Sequence, residues 1–168
     1  ASDWSSDVCS SDLGPIGLLA GMIAQAYGAH AILLDLVQER LDFAKELGIE
    51  YVINSGEEDA AARVSEITGG MMAQQVMECS GSNAAIRSSL DLVSNAGRIT
   101  LTGWPPRETS IPTDIITRKE IDIRGARTSA GEFEEAIELI YTKKVDVAKI
   151  LTKTISLDEA PETIRDIE

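Results

Sequence analysis

Apolar residues follow two different spacings along this chain. Short runs of consecutive apolar residues, typical of strands covered on both faces of a sheet, alternate with segments whose apolar residues recur every three or four positions, typical of amphipathic helices. The predicted strands lie at residues 31–35, 51–53, 75–79, 98–102 and 121–124. The predicted helices lie at residues 15–27, 37–47, 57–68, 83–93 and 132–141. Strands alternating with helices predict right-handed crossovers, a parallel sheet and an α/β fold.

The same spacing predicts which helix residues share a face. In the first helix these are Ile16, Leu19, Ala20, Ile23 and Tyr27, and in the last one Phe133, Ala136, Ile137 and Ile140 are predicted to point inward. A proline-rich loop is predicted between the last two strands. After Val145 the pattern changes: residues 150–157 resemble an isolated strand, and residues 158–167 a short acidic helix.

Residues 1–13, ASDWSSDVCSSDL, differ in kind from the rest of the chain. They are polar and serine-rich, their pattern predicts no strand, and they resemble a translated sequencing adapter. We therefore expect a non-native, disordered leader, and a first strand that is missing or replaced. Residues 14–145 are expected to form the domain of alternating strands and helices, and residues 146–168 a truncated segment that leaves it.

Charge and rare residues exclude several functions. The chain has 15 basic and 28 acidic residues, for a net charge of −13, which argues against nucleic acid and anionic membranes as partners. We expect no membrane span and no signal peptide. Cys9, Cys79 and the single histidine, His30, have neither the number nor the spacing of a disulfide framework or a metal site. These features favour a reduced, cytoplasmic setting.

The segment Gly14-Pro15-Ile16-Gly17 opens the first predicted helix. In a dinucleotide site such a turn lets the backbone approach the pyrophosphate, and the helix N-terminus supplies N–H groups and a partial positive charge. The full pattern is G-x-G-x-x-G, and its first position here holds Asp12. An aspartate would crowd the turn and bring negative charge beside a phosphate.

Asp35 ends the second-strand pattern 21 residues after Gly14 (35 − 14). A carboxylate there accepts hydrogen bonds from the adenosine ribose hydroxyls and repels a 2′-phosphate, which favours NAD over NADP. Asp35 could also cap the following helix, which is compatible with ribose binding. Arg40, one helical turn further, either lies along the adenine or is an ordinary solvated arginine.

Seven segments occur in the order in which zinc-dependent medium-chain dehydrogenases carry them. They read GPIGLLAGMIAQAYGA, AILLD, MECSG, GRITLTGWP, EIDIRGAR, EAIELI and KVD. The chain from Gly14 to Glu168 resembles this family, most closely its sorbitol and threonine dehydrogenase branch. The resemblance implies a doubly wound Rossmann sheet of order 3-2-1-4-5-6.

The resemblance also implies a cofactor site at the ends of the later strands. Cys79, Ser80 and Gly81 are expected beside the adenosine and the nicotinamide-side ribose; Thr102, Gly103 and Trp104 beside the nicotinamide half; Arg124, Gly125 and Ala126 beside the carboxamide. The thiol of Cys79 itself is expected to serve as a small apolar group. In this family the catalytic zinc is held by a preceding domain, so we expect neither zinc ligands nor catalytic residues here. The intact protein is expected to be a homo-oligomer acting on a small alcohol or polyol.

Two other functions remain open from the residues. A zinc-free medium-chain reductase would use NADP on quinones or enoyl groups, and Asp35 argues against it. A methyltransferase that binds S-adenosylmethionine would also pair a glycine turn with an acidic residue after the second strand. Such enzymes lack the G-P-I-G helix opening and the R-G strand that Gly14–Gly17 and Arg124-Gly125 provide here.

Overall fold

The computed structural model describes residues 6–167 of the chain. Within that range six strands form one parallel sheet in the order β3-β2-β1-β4-β5-β6. The strands are β1 (Asp7–Ser11), β2 (His30–Asp35), β3 (Tyr51–Asn54), β4 (Ala73–Glu78), β5 (Val93–Leu101) and β6 (Asp122–Gly125). The α/β class, the parallel sheet and its order are confirmed.

Helices connect the strands as the apolar spacing predicts. They are α1 (Pro15–Ala26), α2 (Gln38–Glu46), α3 (Ala60–Ile67), α4 (Asn83–Leu92), α5 (Thr113–Lys119), α6 (Phe133–Tyr141) and α7 (Ala160–Ile167). Helix α5 lies where only a loop was predicted. Its Ile115 and Ile116 pack against the sheet core. A segment of seven residues is too short for its apolar spacing to predict this contact. No helix in this described range is long and apolar enough to cross a membrane.

The predicted strand at residues 150–157 is wrong. Those residues instead contain parts of two short 3₁₀ segments, Val147–Ile150 and Leu157–Glu159, joined by irregular backbone. An isolated strand leaves its N–H and C=O groups without partners, so it forms only beside another strand. The acidic helix predicted after it is present as α7.

The prediction that residues 1–13 are disordered is wrong for Asp7–Ser11, which form strand β1. Asp7–Ser11 pairs in parallel with β2 on one side and with β4 on the other, so the centre of the sheet is filled. Val8, Cys9 and Ser10 are buried there despite the polar composition of the segment. Two neighbouring strands offer backbone partners on both sides, and this context overrides weak strand propensity. Residues 1–5 of the predicted leader lie outside the described range, and its non-native origin stays a prediction.

The core has two layers, one on each face of the sheet. Along β2, Ile32 and Leu34 pack on the side of α3 and α4, whereas Ala31 and Leu33 pack on the side of α1 and α2. Burial on both faces explains why this strand is an unbroken apolar run.

The apolar residues predicted to share a face of α1 are not the ones that this helix buries. Helix α1 buries Gly17, Leu18, Gly21 and Met22, whereas Ile16 is 58% exposed. A Cβ atom on Gly21 would lie 2.9 Å from the Leu33 side chain, so the small residues are what let this helix approach the sheet.

Helix α6 leaves most of its predicted inward face in contact with solvent. Phe133 is 70% and Ile137 63% exposed, Ala136 and Ile140 are exposed as well, and the residue that α6 buries is Leu139. Leu139 packs with Met22 of α1 and with Val145. The helix therefore touches the domain through a narrow contact and presents an apolar surface, which we call the α6 face (Phe133, Ile137, Ile140 and Tyr141).

Candidate functional site

A cavity of about 730 Å³ lies beside the carboxyl ends of β1 and β2. The strand order reverses between β1 and β4, and open α/β sheets bind their ligands at such a point. Of the residues predicted for a cofactor site, Asp35, Arg40 and Ser80 line this cavity, together with Asp12. Helix α4 contributes small side chains to the wall, namely Ala84, Ala85 and Ser88.

The turn between β1 and α1 is held to β2 by hydrogen bonds. The Asp12 N–H donates to the Leu34 carbonyl over 2.9 Å, and the Leu13 N–H donates to Oδ2 of Asp35 over 2.7 Å. Asp12 has φ of +73°, in the left-handed region. Glycine adopts that conformation without cost, and aspartate adopts it less readily. Asp12 thus takes the backbone conformation that suits the first glycine of the dinucleotide pattern.

Gly14 and Gly17 differ in what surrounds them. A Cβ atom on Gly17 would lie 1.8 Å from the Asp12 carbonyl oxygen, so this glycine is required by close backbone packing. A Cβ atom on Gly14 would meet only Oδ2 of Asp12, at 3.9 Å. Helix α1 starts at Pro15, and no side chain caps it. The first-turn N–H groups of a helix lack intrahelical partners, so this uncapped end beside an open glycine can receive an anion.

Asp35 is buried, with 7% of its surface exposed. Besides the Leu13 N–H, its carboxylate accepts the Val37 N–H over 2.8 Å and lies 3.4 Å from the Arg40 guanidinium. Burial alone would raise the pKa of Asp35, but the two backbone N–H groups and Arg40 outweigh burial and hold its pKa below the usual range. Asp35 is therefore a carboxylate at neutral pH.

Arg40 connects the two acidic residues of the site. One guanidinium nitrogen lies 3.1 Å from Oδ1 of Asp12 and 3.4 Å from Oδ2 of Asp35, and about half of the arginine side chain is exposed. Sequence reasoning offered an adenine contact or a solvated helix residue for Arg40. The structure adds an ion-paired position between the strand ends.

Glu78 organises the turn after β4, and sequence reasoning did not single it out. Its side chain is completely buried at the end of β4. The carboxylate accepts the N–H of Ser80 over 2.9 Å, the N–H of Gly81 over 3.1 Å, and the Ser80 hydroxyl. A buried carboxylate needs such partners, and here they fix the turn that follows the strand. The signal was an acidic residue inside an apolar strand pattern, directly before a Ser-Gly turn.

The turns after β4 and β5 touch each other through glycine. The Glu78 carbonyl accepts the N–H groups of Thr102 and Gly103 over 2.9 and 3.0 Å. A Cβ atom on Gly103 would lie 2.0 Å from the Gly81 nitrogen, and one on Gly81, whose φ is +71°, would lie 2.5 Å from the Trp104 carbonyl oxygen. The structure thus brings these two predicted segments together. The Cys79 sulfur is half-buried and lies 3.5 Å from the Ser10 hydroxyl.

The residues predicted at the ends of β5 and β6 do not line the cavity. Trp104 is 74% exposed, and the Arg127 guanidinium stacks 4.8 Å from its ring centroid. Arg124 extends along β6 to Asp122, at 2.9 Å. Hydrogen bonds from Arg124 and Arg98 hold the pKa of Asp122 below its usual range. The next two predicted residues, Gly125 and Ala126, follow at the end of β6, where the Ala126 N–H donates to the Leu101 carbonyl over 2.9 Å.

The described residues do not fit a zinc site. Over residues 6–167 no group of three or more His, Cys, Asp and Glu side chains could hold a metal ion. His30 starts β2, at the opposite end of the strand from Asp35, and lies 3.4 Å from Asp7. Burial raises the pKa of the Cys9 thiol far above its usual range, so it is not a thiolate ligand. We therefore derive no chemical step through a metal from these residues.

Comparison with known proteins relates the chain to one family. A family model described as "Zinc-binding dehydrogenase" matches residues 15–142. The chain is 50% identical over 154 residues to an uncharacterized zinc-type alcohol dehydrogenase-like protein of Haemophilus influenzae, covering 92% of this chain and 45% of that protein. It is 36% identical over 150 residues to sorbitol dehydrogenase of Halalkalibacterium halodurans, covering 87% and 44%.

Solved structures share the fold over the described region. A short chain alcohol dehydrogenase from Escherichia coli CFT073, complexed with the cofactor NADH, superposes with a TM-score of 0.85 at 25% identity, covering 96% of this chain and 48% of that one. The chain thus spans about half the length of the proteins it matches. Since the family model covers most of its residues, the chain belongs to the zinc-binding dehydrogenase family.

Proposed function

We propose that this chain is the NAD-binding part of a zinc-type alcohol or polyol dehydrogenase. The observation that carries the proposal is the buried, ionised carboxylate of Asp35 at the end of β2, beside the open turn at Gly14 and the uncapped start of α1. A ribose diol and a pyrophosphate require these two groups next to each other. The domain proposed to do this spans residues 14–145, together with strand β1 at the centre of their sheet, and residues 146–168 would belong to the adjoining catalytic part.

The pyrophosphate is proposed to lie at the N-terminus of α1. Apart from its chain neighbours, only the Asp12 carboxylate lies within 4 Å of the Cβ position of Gly14, so a phosphate could approach the backbone on that side. The N–H groups of Ile16 and Gly17 belong to the first helical turn and would donate to phosphate oxygens, with the helix dipole adding to the attraction.

The adenosine ribose is proposed to bind Asp35. The carboxylate already accepts two backbone N–H groups, which hold it in one orientation, and its oxygens have further lone pairs for ribose hydroxyls. A 2′-phosphate would bring negative charge against this buried carboxylate, which supports NAD over NADP. Arg40 would cover the ribose or adenine from the side of α2.

The nicotinamide half is proposed to lie along the turns after β4, β5 and β6. Gly81 and Gly103 have no side chains, and their backbones lie against each other at the carboxyl ends of β4 and β5. A surface made of backbone atoms suits a flat ring and its ribose. Its proposed neighbours are Cys79, Ser80, Gly81, Thr102, Gly103, Trp104, Arg124, Gly125 and Ala126. When bound, the nicotinamide supplies the hydride acceptor; the residues of this chain would bind it and orient its face.

The activity of the intact enzyme extends beyond this chain. We propose that zinc is held by the part of the relatives that the chain does not match, where it would polarise the hydroxyl of a small alcohol or polyol. A cytoplasmic homo-oligomer is proposed for the intact protein. The relatives named as dehydrogenases support this reading over a zinc-free reductase or a methyltransferase.

Titration of the full chain with NADH and NADPH, followed by nicotinamide fluorescence, tests the proposal. We expect saturable NADH binding, NADPH binding weaker by roughly tenfold or more, and a loss of NADH affinity of roughly ten- to a hundredfold in Asp35→Ala, since two hydrogen bonds to a charged acceptor are removed. Asp42→Ala, an exposed acidic residue on α2, is the matched control and should bind NADH like the wild type. Equal or tighter NADPH binding would favour the reductase, and a folded chain that binds neither nucleotide would refute the proposal.

A further inference from the structure

Asp12 places a carboxylate where the proposed pyrophosphate must arrive. Its Oδ2 lies 3.9 Å from the Cβ position of Gly14, the residue that directly precedes α1. Apart from the two chain neighbours of Gly14, nothing else in the described residues comes within 4 Å of that position. The carboxylate therefore borders the open space beside Gly14 through which a phosphate would approach.

The local charge is unfavourable for an anion. Asp12 and Asp35 share the single guanidinium of Arg40, at 3.1 and 3.4 Å. Two carboxylates against one cation leave a net negative charge beside the start of α1. Asp12 is about one-third exposed and Arg40 about half exposed, so both side chains can move when a ligand arrives.

We propose that Asp12 opposes binding of the cofactor's phosphates, both by bordering the space in front of Gly14 and by its negative charge. Asp12 thereby sets the affinity of the chain for every ligand that carries a pyrophosphate, without affecting recognition of the nucleoside. This inference rests on the proposed dinucleotide function and deepens it. Asp12 would thus discriminate between ligands with and without phosphate groups, an effect that holding the turn does not require.

A purely structural role makes a different prediction. If the Asp12–Arg40 ion pair only holds the turn, its removal loosens Asp35 as well, because the turn is bonded to Asp35 through Leu13. Nucleoside and nucleotide would then lose affinity together. Direct opposition to phosphate binding instead predicts a gain that is restricted to phosphate-bearing ligands.

The test uses the full chain with ADP and adenosine as probes, titrated by calorimetry. Asp12→Asn removes the charge and keeps a residue that tolerates positive φ, and Asp12→Gly also removes the side chain. We expect both variants to bind ADP more tightly than wild type by roughly three- to thirtyfold, with adenosine affinity changed less than about twofold. Raising the salt concentration to about 0.5 M should shrink the ADP gain, since exposed charges are then screened.

Asp114→Asn is the matched control. It makes the same change in net charge on α5, where Asp114 is exposed and pairs with Arg118, and its ADP affinity should equal that of the wild type. Unchanged or weaker ADP binding in both Asp12 variants, with measurable binding by the wild type, would overturn the inference. If the wild type and every variant are folded but none binds ADP or NADH, the proposed function itself fails.

Discussion

The Cα atom of Gly17 lies so close to the carbonyl oxygen of Asp12 that a Cβ atom on residue 17 would sit 1.8 Å from it. This contact packs the start of α1 against the end of β1. Since the obstacle is backbone, it cannot rotate away as a side chain could. The first strand and the first helix can therefore lie this close only because residue 17 has no Cβ atom.

Gly17→Ala is expected to destabilise the chain by about 3 kcal/mol, because the helix must shift away from the strand and lose core packing. Thermal or urea unfolding followed by circular dichroism measures this loss. Gly125→Ala is the control: no atom lies within 4 Å of its Cβ position, and its stability should stay within about 0.5 kcal/mol of the wild type. Equal stability of the two variants would contradict the close packing at Gly17.

Gly14→Ala is expected to separate folding from binding. Gly14 has φ of −67° and ψ of 177°, which alanine adopts readily, and the space around its Cβ position is open. The melting temperature should stay within about 2 °C of the wild type, while the affinity for ADP falls roughly tenfold because a methyl group stands where the phosphate approaches. Adenosine titration is the control and should show no change. Unaltered ADP affinity would place the phosphate elsewhere.

Asp35→Asn is expected to change how stability depends on pH. The folded state holds the pKa of Asp35 below its ordinary value of 3.8, so this carboxylate stabilises the fold above that pH and the contribution is lost as the pH falls through the folded pKa. An amide also turns a donor toward the Leu13 or Val37 N–H. The variant should lose about 2 kcal/mol at neutral pH, measured by urea unfolding.

As the pH falls below 3.8 and then through the lower folded-state pKa of Asp35, the stabilities of Asp35→Asn and the wild type should converge, because the wild-type carboxyl becomes protonated too. Asp42→Asn is the control for the many other acidic residues, since Asp42 is exposed on α2 and its replacement should change the neutral-pH stability by less than about 0.5 kcal/mol. If the difference in unfolding free energy between the wild type and Asp35→Asn is the same at neutral and acidic pH, the negative charge of Asp35 does not contribute to stability.

Glu78→Gln is expected to cost about 2 kcal/mol of stability. The buried carboxylate accepts N–H groups from Ser80 and Gly81 with both oxygens, and an amide offers one acceptor and one misplaced donor. Glu66→Gln is the control, because Glu66 is exposed and its ion pair with Arg63 contributes at most about 1 kcal/mol. Comparable losses in the two variants would mean that the turn after β4 does not depend on Glu78.

The α6 face is expected to make the chain self-associate, since exposed apolar patches of this kind promote association. Ile137→Lys should reduce association, measured by analytical ultracentrifugation over a range of concentrations. Its effect on unfolding free energy should stay within about 0.5 kcal/mol because Ile137 is 63% exposed. Leu139→Ala, on the buried side of the same helix, should instead destabilise the fold by about 2 kcal/mol. A wild-type chain that is monomeric at every concentration would refute the role of this face.

Alternation of apolar patterns determined the α/β class, the parallel sheet and most element boundaries. These features follow from local periodicity, which is written directly into the sequence. The spacing of Gly14, Gly17 and Asp35 likewise predicted a candidate dinucleotide site, because a fixed turn and a fixed crossover length bring such residues together. Of these three residues, Asp35 lines the cavity.

Tertiary structure alone decided the remaining features. Asp7–Ser11 is a strand because β2 and β4 offer partners on both sides, and not because its own residues favour one. The bonding of Glu78 to the Ser80–Gly81 turn and the sharing of Arg40 by Asp12 and Asp35 depend on which strand ends become neighbours. Periodicity gives the apolar face of a helix such as α6, but only the arrangement of its neighbours decides whether that face is covered.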